Sequence, residues 1–406
     1  MEKRDAGLSA RARTTALSPT LEVFDMAALK RAAGEVLHDF GVGEPQLPTP
    51  SDIANAGREA IRRGLTRYTA NAGTPELRAA VAAYLRQSRP ELNFTADEIL
   101  ISSGAKQSVY LALAALADPG DEVLIPLPAY PSYGEMVRLC GAVPRYLQPD
   151  PDTLKINAGI LKEALTDKVK VFILNQPSNP SGRAYSRSEL AELHAVLKDR
   201  NVYVISDEIY SDIVREDFHF CSYLQAAPEA GDRHLLISGA SKSFAMTGWR
   251  IGFTAGPKRI IQAMNRIQNH VSGHASSVSQ AAACEAYYRW QIYTADIRRA
   301  FDERRSACRG ELARIAGLRW VEPDGAFYYF VDVQAFLPAR GRNGELVCSS
   351  RELSLYLLDG FNIVTVPGEA FRMENFLRMS CTAGREALMK GLAVFAEAME
   401  ELESYE

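Results

Sequence analysis

Four short apolar runs in this chain each end in residues able to do chemistry. EILIS (98–102) leads into Ser103, Gly104, Ala105 and Lys106; VKVFIL (169–174) into NQPSNPSG, which contains Asn179; VYVIS (202–206) into Asp207 and Glu208; HLLIS (234–238) into Gly239, Ala240, Ser241 and Lys242. A turn of small residues that opens a helix presents backbone N–H groups with no partner inside the chain, so Gly104 and Ala105 are placed to hold a phosphate. Lysine attacks a carbonyl only as the neutral amine, which burial or nearby positive charge promotes. Asp207 reads equally as a carboxylate tuning a bound group or as a helix N-cap, and Asn179 as a ligand or as a turn residue in Asn-Pro-Ser-Gly.

The elements that must position these groups follow from the pattern around them. Between 98 and 255 the apolar runs, EVLIP and RIGFTA among them, alternate with amphipathic stretches from Lys106, near Ser132 and over 186–199. Such alternation predicts an α/β fold with a mostly parallel sheet sandwiched by helices. Near-continuous apolar strands fit a sheet buried on both faces. Open sheets of this kind bind ligands beyond the carboxyl ends of their strands, where the polar residues fall. After Pro257 the pattern turns helical, with one long amphipathic run over 277–314, and GLRWVEPDGAFYYFVDV, FNIVTVPGEAF and helices at 350–359 and 384–403 read as a smaller α+β unit. The expected division is a large domain over 45–290 and a small one formed by 15–44 with 291–406.

Composition narrows the function. The 406 residues carry 46 Lys+Arg against 50 Asp+Glu, a net charge of −4, which offers no positive field for a phosphate backbone and argues against nucleic acid. No apolar run approaches the length of a membrane span, and the N-terminal stretch has no apolar core of a secretory signal. The six cysteines form no C-x-x-C pair, so a reducing cytoplasm is expected and a metal site is not. His270 and His274, an i,i+4 pair, have no acidic third ligand nearby. GVGEPQ (41–46) lacks the third glycine of a dinucleotide loop. Ser103-Gly104-Ala105-Lys106 matches the S-x-x-K of penicillin-binding enzymes without the companion motifs.

Taken in order, GVGEP, RYTANAGTPELR, SSGAKQ, PAYPSY, NQPSNPSG, SDEIYSD, SGASKSFAMTGWRIGF, DGAFYYF, VPGEAF and LRMSCTAG resemble the class I/II aminotransferases of the aspartate aminotransferase superfamily, fold type I pyridoxal-phosphate enzymes. The resemblance spans nearly the whole chain and is nearest to the prokaryotic aspartate and prephenate aminotransferases. It implies a pyridoxal 5'-phosphate cofactor, with Lys242 forming the Schiff base to its aldehyde and serving as the catalytic base. Asp207 would pair with the ring nitrogen, Tyr210 and Asn179 with the ring hydroxyl, and Tyr130 would stack on the ring where near relatives have Trp. Gly104, Ala105, Lys106, Ser241 and Arg250 would hold the phosphate, with Tyr68 reaching it from a neighbouring subunit, which implies a homodimer with shared active sites. Arg378 would fork the substrate α-carboxylate, helped by Gly43 and Asn179, and Lys106 would meet the distal carboxylate of an acidic substrate. The implied reaction is ping-pong transfer of an amino group between an L-amino acid and a 2-oxo acid in the cytoplasm. The alternatives are a same-fold lyase, synthase or oxidase, which Tyr130 and the histidine-bearing HVSGHASS leave open, and a cofactor-sensing regulator, for which too few residues precede Gly41.

Overall fold

The structure, a computed structural model, describes residues 7–16 and 21–405; residues 17–20, part of the segment assigned above to the small domain, lie outside the described residues. Its centre is a seven-stranded sheet. In chain order the strands are β1 (Ile99–Ser102), β2 (Glu122–Pro126), β3 (Val143–Leu147), β4 (Val169–Asn175), β5 (Tyr203–Asp207), β6 (His234–Gly239) and β7 (Gly252–Ala255), and across the sheet they run β1-β7-β6-β5-β4-β2-β3. All neighbours pair in parallel except β7, which is antiparallel to both β1 and β6.

Strand side chains alternate between faces, and here both faces are dry. Phe172, Leu174, Val204, Leu236 and Phe253 enter one apolar cluster, while Val171, Ile173, Ile205, Leu235 and Ile237 enter another on the opposite side. Each such burial contributes about 1.5–3 kcal/mol. Helices cover both faces, and local sequence starts them. Thr74 accepts from the Leu77 N–H and Pro75 takes the first helical position of Pro75–Ser88, where its missing N–H costs nothing. Ser186 and Glu189 cap each other's backbone at the start of Arg187–Leu197.

One expectation changes. The run over 277–314 is two helices, Ser277–Tyr288 and Trp290–Leu312, broken at Arg289 (φ −114°, ψ 27°). The first packs on Ser51–Arg62 and Pro75–Ser88 beside the large sheet, the second on Arg385–Glu400. One straight helix cannot aim a single apolar stripe at both surfaces, so the break re-aims the stripe.

The second core lies around a small antiparallel sheet ordered Val366–Pro367, Phe376–Ser380, Tyr328–Asp332, Arg319–Trp320, in which Arg378 faces Val366 on one side and Phe330 on the other. His38–Asp39 pairs in parallel with Ile363–Val364, which ties the segment before Gly41 to the C-terminal part of the chain. Among the described residues no helix is long and apolar enough to cross a membrane.

Candidate active site

Register carries the reactive residues to one rim. Asn175, ending β4, lies opposite Asp207, ending β5; Gly239, ending β6, lies opposite Gly252, which also lies opposite Ser102 at the end of β1. Because β7 runs backwards, its first residue sits at this rim and the preceding Arg250 is delivered there too. Gly252 has to be glycine. A Cβ at that position would stand 2.3 Å from the Ala105 nitrogen and 2.3 Å from the Gly104 carbonyl carbon, so the close approach of β7 to the start of helix Ala105–Leu116 admits no side chain.

Above the rim is a cavity of about 630 Å³. Its wall includes Gly43, Ala105, Lys106, Tyr130, Asn179, Asp207, Tyr210, Ser241, Lys242, Arg250 and Arg378, so the positions that the resemblance gives a cofactor or substrate role meet here, save Gly104 and Tyr68. Gly104 lies just beneath. Its φ of 90° is open to glycine, and a Cβ there would come within 2.6 Å of Arg250 Nη2. Tyr68 is 97% exposed, away from this chain's cavity, with its ring 5.7 Å from that of His274. Neither His270 nor His274 lines the cavity.

Helix Ala105–Leu116 begins at Gly104 without a side-chain cap, which leaves its first N–H groups open toward an anion. Arg250, in left-handed backbone at φ 56°, is steadied by a 2.9 Å hydrogen bond from Nη1 to the Thr247 carbonyl, beside the buried Ser241. On the opposite wall Arg378 is 6% exposed; Nη1 donates to Asn179 Oδ1 at 3.1 Å and Nη2 to the Gly41 carbonyl at 2.7 Å, while Nε has no partner. A buried guanidinium with an unused donor is costly unless a ligand completes it. Its plane also lies over the Tyr328 ring at 4.5 Å and the Phe371 ring at 5.3 Å.

Lys242 Nζ donates to the Gly43 carbonyl at 2.6 Å. Burial lowers its pKa to about 8; the Glu44 carboxylate opposes this, and Arg378 and Arg250 push it down further. Asp207 moves the other way. Burial raises it to about 6, against a hydrogen bond from Tyr133, the Ile209 N–H and the Lys242 charge. Tyr210 and Tyr328 share a 2.8 Å hydrogen bond between their hydroxyls. An amine made more neutral, a carboxylate beside it, and two arginines at opposite walls form a site for a small molecule bearing two anionic groups and a carbonyl or amine between them.

Sequence reasoning placed Asn175 at the rim without a role and gave none to Tyr133, Glu44, Thr247 and Tyr328, all of which line the cavity. Tyr133 had a signal, since it follows Tyr130 by three residues and opens the helix Ser132–Leu139. Glu44 and Thr247 had none: their 2.5 Å hydrogen bond joins segments 203 positions apart in the chain.

Comparison with known proteins agrees with this geometry. Residues 35–394 match the family model for aminotransferase class I and II. An aspartate aminotransferase of Streptomyces avermitilis is 38% identical over 97% of this chain and 97% of its own length, and a bifunctional aspartate aminotransferase and glutamate/aspartate-prephenate aminotransferase of Petunia hybrida is 38% identical over 97% of this chain and 83% of its own. The crystal structure of the aspartate aminotransferase from Rhizobium meliloti superposes with a TM-score of 0.93 at 34% identity, covering 98% of this chain and 99% of that one. A match over most of the chain, in sequence and in fold, makes this protein a member of the class I and II aminotransferase family and a transferase enzyme.

Proposed function

We propose that this chain binds pyridoxal 5'-phosphate and moves an amino group between an L-amino acid, acidic ones included, and a 2-oxo acid. The observation that carries the reading is Lys242, an amine whose pKa is lowered to about 8 in a cavity it shares with Asp207, Arg250 and Arg378. The residues fit that cofactor. The uncapped start of helix Ala105–Leu116, Ser241 and Arg250 suit its phosphate, Tyr130 its ring face, Tyr210 and Asn179 its ring hydroxyl, and Asp207 its ring nitrogen. When bound, pyridoxal phosphate supplies an aldehyde that condenses with amines and a ring that draws electrons from the adjoining carbon. Arg378 grips the substrate α-carboxylate through its free Nε and its Nη donors, and the Gly41–Gly43 segment closes beside it. That grip fixes the substrate Cα near Lys242 Nζ, the atom placed to take the Cα proton and return it. Asp207 holds negative charge at the far end of the site, and Lys106, on the cavity wall, offers a second cation for a distal carboxylate.

Two further parts of the reading concern assembly. One apolar cluster draws on residues between 53 and 293 and another mostly on Phe40 and residues between 297 and 399, with Ile209, Tyr210 and Ile213 bridging to it, which supports a large domain over 45–290 and a small one of 15–44 with 291–406. The exposure of Ile61, Leu65, Tyr68 and Val271 supports a homodimer in which Tyr68 serves the neighbouring site. Six free cysteines fit a reducing cytoplasm.

The test is a titration of the cofactor-loaded protein with a panel of amino acids, followed by cofactor absorbance. Aspartate or glutamate should convert the cofactor to its amine form, and a 2-oxo acid should restore the starting spectrum. No change with any amino acid, or a change that no 2-oxo acid reverses, would refute amino transfer.

A further inference from the structure

The acid placed for the cofactor's ring nitrogen has a hydrogen-bond partner that no strand end supplies. Tyr133 sits on the helix Ser132–Leu139, one turn beyond Tyr130, with the two rings 5.4 Å apart and edge-on. It is 2% exposed. Its hydroxyl donates to Asp207 Oδ2 at 2.7 Å, and among the described residues this is its one hydrogen bond. Burial holds the phenol's own proton firmly, so it acts here as a donor. The other oxygen, Oδ1, accepts only a long 3.3 Å bond from the Ile209 N–H and keeps room for a second donor.

We propose that Tyr133 is a positioning residue that keeps Asp207 ionised and fixes its rotamer, leaving Oδ1 available for the protonated ring nitrogen of the bound cofactor. This rests on the role given to Asp207 above. The two elements involved share no backbone pairing, so the bond is the direct tie between the carboxylate and the helix that follows Tyr130. The titratable groups facing Asp207 are Tyr133 from that helix, Lys242 from the turn after β6, and Tyr210 three residues along the chain. Of these, Lys242 changes its charge as it takes and returns a proton, and Tyr210 is turned to Tyr328. Tyr133 is then the one of the three whose hydrogen bond to Asp207 does not depend on a reacting group.

A filler of space would be replaced by phenylalanine without consequence for Asp207. A donor would not. Losing one charge-assisted hydrogen bond moves a carboxyl upward by about one to two pH units. Carbon NMR of cofactor-free protein labelled at aspartate carboxyls reads this directly, with the Asp207 resonance assigned by its absence in Asp207→Asn. Wild type should titrate at about 6, and Tyr133→Phe higher by that interval; a midpoint unchanged within about half a pH unit, less than the loss of any such bond allows, overturns the proposal. Should Tyr133→Phe not fold, 3-fluorotyrosine at 133, a stronger donor of nearly the same size, should move Asp207 downward, and no movement or a rise overturns the proposal. In the loaded protein, the Tyr133→Phe loss of pyridoxal-phosphate affinity should be largest near pH 7 and shrink as Asp207 ionises at higher pH, whereas a loss equal at all pH values overturns it. The cofactor-free titration is independent of the amino-transfer reading, which the absorbance titration decides separately.

Discussion

Trace acylation of the cofactor-free protein with an amine-directed reagent should single out Lys242 among the lysines. Its pKa lies at about 8 against an ordinary 10.5. At pH 7 roughly a tenth of this amine is neutral, against about 0.03% for an ordinary lysine, a ratio of roughly 300. Nucleophilicity falls as basicity falls; with a Brønsted slope of about 0.5, as for thiols, the net rate advantage is roughly twentyfold. The pH profile escapes that correction, because the inflection reports the neutral fraction alone. Labelling at Lys242, measured by mass spectrometry of its peptide against the same peptide in unfolded protein, should inflect near pH 8. The neighbours named by the structure give the signs of two further shifts. Glu44→Gln removes a carboxylate that favours the ammonium and should move the inflection down; Arg378→Gln removes a cation that disfavours it and should move the inflection up. An inflection near 10, or one indifferent to both substitutions, would refute the electrostatic account of the site.

In the folded cofactor-free protein Asp207 keeps its proton up to about pH 6, whereas its ordinary value is 3.8, so its contribution to stability is full below 3.8 and lost as pH rises through about 6. Asp207→Asn should therefore match wild type near pH 4 and exceed it by up to about 3 kcal/mol at pH 7 in urea unfolding, a gain that a pH-independent difference would contradict. Arg378→Lys replaces a planar fork by a point charge and should raise KM for the amino acid; losing one or two charge-assisted bonds costs roughly 10- to 1000-fold in kcat/KM, read by steady-state kinetics.

Sequence reading reached the sheet because strands buried on both faces leave an unmistakable apolar run, and it reached the rim because each run stops at a polar residue. Runs such as VKVFIL and HLLIS carry their own boundaries. The direction of β7 left no such trace: GFTA reads the same whichever way it is laid, and only its neighbours make it antiparallel. The break at Arg289 was also hidden, since each half of 277–314 keeps a helical stripe and the change of stripe direction answers to two separate surfaces. Within the site, Lys242, Asp207 and Arg378 were recognisable from the motifs around them. The Glu44–Thr247 and Tyr133–Asp207 contacts were not, because a hydrogen bond between distant segments imposes no periodicity on either.

The two shifted groups bear on how strongly the site favours a ligand. An acid pushed up and an amine pushed down are both consequences of burial, and each costs stability at neutral pH. The unpartnered Nε of Arg378 adds a third unmet demand. None is relieved by movement of nearby side chains, since Asp207 is anchored by Tyr133, Lys242 by the Gly43 carbonyl, and Arg378 by Asn179 and Gly41. A ligand that gives the carboxylate a cation and takes up the amine covalently meets the first two demands, and one that brings a carboxylate to the arginine meets the third. Its binding is then favoured by relief of the protein's own electrostatic cost as well as by new contacts, and ligand-linked stabilisation follows by mass action.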